Sequence, residues 1–229
     1  MTHAIPKVIY TAFLEKAPRP EHISALEEAW RTLNPDWGFR CITLDTRPPI
    51  LNHFEWEQTF RLPEPAGSVA RLNLLRYEVL AQNGGVFIDN NHYPLRPLDE
   101  LLENVTGFCT TVPGKRREMT PHALSCSVLG CVRNHAALWH AVRDLPLSVA
   151  TYRGVWDQSG PGFLTRVIRE HGHFRQFVPF HWSMFNLAKA DAEAAGAWGY
   201  TVNVNANQSV AEPQAEASAS SGKPAEVAA

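Results

Sequence analysis

An α/β layer fold with a mainly parallel central sheet, flanked by helices, is predicted by two features of this chain. Short β-branched and aromatic runs alternate with apolar patterns of helical spacing through its first half. Asn83-Gly84-Gly85 then breaks the best-marked helix from a short, almost wholly apolar strand.

The elements follow in order. Lys7 to Phe13 (KVIYTAF) is β-branched and aromatic and reads as a first buried strand, with Pro6 punctuating its start. From Glu21 to Leu33, apolar Ile23, Leu26, Trp30 and Leu33 recur at helical spacing. Asn34-Pro35-Asp36 ends that helix, because a residue before proline avoids the α region. Gly38 to Leu44 reads as a second strand, and a Pro-rich loop leads on to Ala66. Gly67 to Gln82 reads as a helix with Val69, Leu72, Leu75 and Val79 in one apolar stripe. Asn73, Arg76 and Tyr77 share another of its faces. Asn83-Gly84 is a good C-terminal stop, since both residues tolerate positive φ. Gly85 to Asp89 is then a buried strand, and Pro94 to Leu102 turns into a helical segment. Further strands are expected near Gly107–Val112 and Leu124–Val132, and helices near His135–Arg143 and Gly162–Glu170.

At 229 residues and 45% hydrophobic, the chain can form one well-buried domain, or at most two small ones. Residues 211–229 are Ala, Ser, Glu, Pro, Gly and other residues with no large apolar side chain, so a disordered tail is expected there and a folded domain over 1–210. Twenty-one basic against 23 acidic residues give a net charge of −2, and Lys115-Arg116-Arg117 reads as a solvated loop, which argues against a nucleic-acid surface. The four cysteines form no CxxC pair and read as buried, reduced thiols. No apolar run approaches the roughly 20 residues of a membrane span. The N-terminus shows no apolar signal core after a basic segment. A cytoplasmic location is expected.

Polar groups just past a buried strand are where α/β domains usually bind ligands, and Asp89-Asn90-Asn91 stands at that position, with His92 next. Asp89 can cap the following turn, or contact a ribose or a hard cation; Mg²⁺ and Mn²⁺ take oxygen donors, few of them from protein. The wider pattern resembles the glycosyltransferase family with the DXD sugar-binding region, related to yeast α-mannosyltransferases and to the catalytic domains of clostridial glucosylating toxins. The matching pieces are Ile5-Pro6-Lys7-Val8-Ile9, Asn34-Pro35-Asp36-Trp37, Asn73 to Leu80, Gly84 to Asp89, Pro94 to Leu98 and Ser159-Gly160-Pro161-Gly162. Residues 73, 76, 89 and 91 keep the spacing of the family's D-x-x-R and D-x-D elements.

The resemblance implies a GT-A-like fold, a UDP- or GDP-sugar donor, a glycan or protein acceptor, Mn²⁺ or Mg²⁺, and retention of anomeric configuration. Carried over by position, Arg76 and Asp89 become the catalytic residues. Phe13 becomes a stacking surface for the base, or else a core residue at a strand end. Asn73, Tyr77, Gly84, Gly85, Asn91 and Ser209 join the donor site, and Asp89 with Asn91 holds the metal. The chain departs from the pattern where acids are usual: position 73 is Asn73 and the second acid of D-x-D is Asn91. The C-terminal run Asn205 to Val210 lacks the family's His and Trp. An amide keeps an oxygen donor but loses the charge. Three readings stay open: an active transferase with weakened or absent metal dependence or an altered sugar preference, an impaired relative that binds a nucleotide sugar or a partner protein, or an unrelated nucleotide-binding α/β protein.

Overall fold

Apolar side chains on both faces of consecutive short strands require cover on both sides, and the chain supplies it with helices. A computed structural model describes residues 4–112 and 123–202. In chain order its elements are β1 (Val8–Ala12), α1 (Glu21–Leu33), β2 (Gly38–Ile42), α2 (His53–Thr59), α3 (Ala66–Asn83), β3 (Gly85–Ile88), β4 (His92–Pro94), α4 (Leu98–Leu102), β5 (Gly107–Thr111) and β6 (Leu124–Cys131). They continue with α5 (Ala136–Thr151), α6 (Val155–Gln158), α7 (Pro161–Glu170), β7 (Val178–Phe180), α8 (Lys189–Ala194) and β8 (Gly199–Thr201). The expected tail at 211–229, the domain end near 210, the Lys115-Arg116-Arg117 loop and Ser209 lie outside the described residues.

The main sheet has the order β2-β1-β3-β6-β5-β7. β1 pairs in parallel with β2 and β3, and β5 with β7, while β6 runs against both its neighbours. Five strands therefore point one way and β6 the other, which is the mainly parallel α/β sheet expected. Strand alternation divides the core. Phe87 joins Tyr10, Leu129 and the inner faces of α3, α5 and α7. Val86 and Ile88 face the other way, onto Trp30, Trp37, Phe108 and Phe185.

Several boundaries differ from expectation. Pro94 closes β4 and does not open a helix; α4 begins at Leu98, after the Pro97 that forces an extended entry. The predicted helix ending at Arg143 runs on to Thr151 with Pro146 inside it. Pro146 has no N–H for the Val142 carbonyl, and Asn52 Nδ2 donates to that oxygen instead, at 2.8 Å. The apolar stripe expected on α3 begins outside the core, since Val69 is exposed. Among the described residues no helix is long and apolar enough to cross a membrane. All four cysteines are free, and Cys109, Cys126 and Cys131 are buried.

Candidate functional site

Three strand ends and one helix face build the site. β1 and β3 leave the sheet at the same edge, because Tyr10 pairs with Phe87 in parallel register. Phe13 and Asp89 are thus carried to one rim. α3 crosses behind that rim and brings Asn73, Arg76 and Tyr77 to it. Antiparallel β6 passes alongside, and its Ser127 carbonyl accepts the Asp89 N–H at 2.9 Å.

Arg76 is the centre of the arrangement. Its guanidinium is 2% exposed and donates through Nη2 to Asp89 Oδ1 at 2.5 Å and through Nη1 to the Cys126 carbonyl. Burial is the largest influence and pulls the Arg76 pKa down, but Asp89 together with Cys126 and Tyr77 outweighs it and the net shift is upward. Arg76 is a permanent cation, and Asp89 is the carboxylate it pairs with. It stands behind Asp89, so a ligand at the rim meets the carboxylate first; the Asp89 side chain keeps 29% exposure. Arg76 thus orients Asp89 and presents little of its own surface to a sugar or diphosphate.

Asn73 Nδ2 reaches Ser159 Oγ at 3.4 Å, and the Tyr77 hydroxyl donates to the Ser159 carbonyl at 2.7 Å. Those bonds tie the Ser159-Gly160-Pro161 entry of α7 to the middle of α3. Tyr77 is fully buried, and burial followed by the neighbouring Cys126 pushes its hydroxyl well above the usual range. It fixes the site without offering a surface to a donor, contrary to the expectation of direct contact. Gly84 and Gly85 also depart from expectation. They lie where α3 gives way to β3, and Gly85 is about 13 Å from Asp89 at ~3.3 Å per strand residue. Their positive φ values of 67° and 102° make the helix-to-strand turn. A Cβ on Gly84 would lie 2.5 Å from the Arg133 backbone nitrogen. The glycines serve the turn, at the edge opposite the rim.

Phe13 is at the rim, beside a cleft of about 500 Å³ lined also by Lys16, Arg19, Thr43 and Asp45. Its ring is only 7% exposed, so stacking on a base requires its neighbours to shift. The loop residues of this cleft carry no local pattern in sequence and were not anticipated.

Asn90 and Asn91 form the turn into β4. The Asn91 carbonyl accepts the Val202 N–H at 3.0 Å, and the His92 N–H returns to the Asp89 carbonyl at 3.2 Å. The His92 carbonyl accepts the Trp30 indole N–H at 2.9 Å. Trp30 reads in sequence only as part of an apolar stripe. Asn186, which reaches the His92 ring at 3.1 Å, gives no sequence signal.

For a divalent cation the described residues offer one carboxylate. Asp89 Oδ1 is engaged by Arg76, and among the described residues Oδ2 has no hydrogen bond. No group of three or more His, Cys, Asp or Glu side chains among them could hold a metal ion. The donor set suits a hard cation only where phosphate and water complete the shell.

Likeness to solved glycosyltransferase structures makes this mixed α/β architecture a GT-A-type glycosyltransferase fold. No protein-family model matches the chain. Its homologues are yeast mannosyltransferases. It is 28% identical over 167 residues to inositol phosphoceramide mannosyltransferase 3 of Schizosaccharomyces pombe, covering 71% of this chain and 44% of that protein. It is 25% identical over 183 residues to mannosyl phosphorylinositol ceramide synthase SUR1 of Saccharomyces cerevisiae, covering 75% of this chain and again 44% of the relative. The match thus spans less than half the length of either protein. Among solved structures, the PaToxG glycosyltransferase superposes with a TM-score of 0.57 at 14% identity, over 74% of this chain and 70% of that one. The UDP-bound glycosyltransferase domain of the YGT toxin gives 0.51 at 10% identity, over 78% and 80%. These similarities establish the fold.

Proposed function

We propose that this protein transfers a hexosyl group from a UDP- or GDP-sugar to a hydroxyl acceptor, with retention and with weakened metal dependence. The observation that carries the reading is the pairing of buried Arg76 with part-exposed Asp89, held at the sheet rim at 2.5 Å. Its two residues stand at the spacing of the glycosyltransferase pattern. In this reading Asp89 accepts from ribose or sugar hydroxyls, and Arg76 fixes its angle and balances its charge. Asn73, 3% exposed and 3.4 Å from Ser159, reaches the sugar through its amide once its neighbours shift, as Phe13 does for a base. Phe13 borders the base. A hard cation, when bound by Asp89 and Asn91, would supply charge neutralisation for the departing diphosphate. The rim favours the reaction to the extent that it stabilises the leaving group more than the intact donor.

The names of the two yeast relatives make mannose the first sugar to test. They add an inositol-phosphate lipid to the glycan and protein acceptors already expected. A cytoplasmic site of action belongs to the same proposal. Purified protein should melt higher with millimolar UDP or GDP, and Mn²⁺ should add little. A melting curve indifferent to both nucleotides removes the donor-site reading. Donor hydrolysis, screened over UDP- and GDP-sugars with and without Mn²⁺, then measures turnover. The second reading, a binder without turnover, is favoured by Asn73 and Asn91 standing where acids are usual. Hydrolysis by the native chain removes it.

A further inference from the structure

A narrow groove opens between α2, α3 and α5, beside the site described above. Leu74 of α3, Leu145 of α5 and Ser159 are its buried floor. Half-buried Glu55 and Gln58 and exposed Leu62 mark its lip. Polar side chains along the inner wall are engaged within the protein. Thr59 Oγ1 donates to the Trp56 carbonyl at 2.7 Å, and Gln158 Nε2 donates to the carbonyls of Val149 and Tyr152 at 3.2 and 2.9 Å. Ser159 Oγ accepts from Asn73 Nδ2 at 3.4 Å. A ligand that enters here must ask for no hydrogen bond, since breaking those to bind a polar group gains little.

Size narrows the choice further. The groove holds about 80 Å³, where a cavity of ~150 Å³ is what admits benzene. A ring is too wide for it, and roughly three carbons of an unbranched chain are not. The groove also adjoins the donor rim. On α3, Ala70 and Leu74 line it, and Asn73 is the neighbour of Leu74. Val69 stands one turn ahead of Asn73 on the same helix face and is exposed. Four helical residues span ~6 Å. The Val69 side chain therefore covers the step from the Ala70 wall of the groove to Asn73, and it is apolar.

We propose that the groove between α2, α3 and α5 binds one alkyl chain of a lipid acceptor, with the polar head of that lipid lying across Val69 toward Asn73. The acceptor role rests on the donor-site reading given above, and chain binding in the groove does not. Leu62 and Val69 are the exposed apolar side chains at the two places where such a chain enters and leaves the wall of α3, so the lipid covers them when it binds. A glycan without a chain leaves the groove empty and gains nothing from it.

Methyl ¹H–¹³C spectra of the full chain, titrated with n-octyl β-D-glucopyranoside below its micelle concentration, test this directly. The methyls of Leu62, Leu74, Leu145 and Val149 should shift saturably. Methyl β-D-glucopyranoside, the same head without the chain, should bind about fiftyfold more weakly, since each of about three buried methylenes is worth a factor of ~4. Benzyl alcohol should leave the four residues unmoved. Ala70→Leu, which fills the groove, should abolish the octyl shifts. Leu62→Gln changes only the exposed lip and should raise the octyl Kd about tenfold, which decides the matter if Ala70→Leu does not fold. Absence of a saturable octyl shift, equal shifts with benzyl alcohol, or an octyl Kd indifferent to Leu62→Gln overturns the proposal. The UDP and GDP melting shifts are read separately. Nucleotide shifts without octyl binding keep the donor-site reading and overturn the groove. Octyl binding without nucleotide shifts overturns the acceptor role together with the donor-site reading.

Discussion

β3 begins between glycines and ends at Asp89, and its two ends are held by different forces. At Gly84 and Gly85 the chain turns with φ of 67° and 102° under close backbone contact from Arg133 and Val8. Shape alone decides the residues there. At the other end an ion pair, two amides and a histidine share a hydrogen-bond network that extends to α1, α3 and β6. Charge and donor–acceptor count decide the residues there. The glycine end can be altered only at a cost in stability. The polar end has groups whose partners could be exchanged for a ligand's, so function can reside there.

The largest effect should come from Arg76→Met, which keeps volume and removes the buried charge. Deleting one partner of a buried pair typically costs 3–5 kcal/mol; with Asp89 partly exposed, about 3 kcal/mol is expected. Urea denaturation measures it, and the UDP or GDP melting shift should vanish. Adding Asp89→Asn to Arg76→Met should recover about 1 kcal/mol or more if the two are coupled as the 2.5 Å contact requires. A loss below that size for Arg76→Met would mean that charge does not hold this end.

Gly84→Ala should come next. With φ 67° and ψ −166°, Gly84 occupies a region essentially reserved for glycine. Strain together with the clash on Arg133 should cost about 2–3 kcal/mol. At temperatures where the variant is folded, the nucleotide-induced shift should persist. Loss of that shift in a folded Gly84→Ala protein would erase the distinction between the ends.

Much of the β3 region was legible because its signals are local. The helical spacing from Leu72 to Val79, the Asn83-Gly84 stop and the apolar GVFI run lie within one stretch of chain. The direction of β6 was not legible, because an apolar run reports burial and not orientation. β4 and β8 are three residues each, and they exist through pairing His92–Pro94 with Gly199–Thr201 across the chain. The run of α5 past Arg143 to Thr151 was not legible, since nothing near Pro146 shows Asn52 standing in for the missing donor. At the rim, Arg76 and Asp89 were placed by motif spacing. That Arg76 lies behind Asp89 depends on the Cys126 carbonyl of β6. Gly84 and Gly85 were assigned to the donor by their place in the family pattern, where Gly84 to Asp89 is one matching run. A strand carries the two ends of that run apart, which a matching pattern along the chain does not show.

The smallest expected effect is a pH dependence that separates the ends once more. Burial is the leading cause that depresses the pKa of His92, and it does the same for His135, His140 and His173. The unfolded chain binds protons at these rings first, near the ordinary value of 6.5. Their contribution is therefore fully present above that pH and is lost as pH falls through and below it. Urea midpoints should drop from pH 7 to pH 5. His140 and His173 account for part of this, their ring nitrogens being 2.8 Å apart, so that a second proton on the pair is repelled. His92→Gln keeps a donor for Asn186 and removes the titrating ring at the polar end. It should flatten the slope without abolishing it. Gly84→Ala should shift the whole curve down and leave its slope unchanged, because no ionisable group sits in that turn. Equal flattening by both variants would show that the two ends of β3 unfold as one electrostatic unit and that their separation by force is wrong.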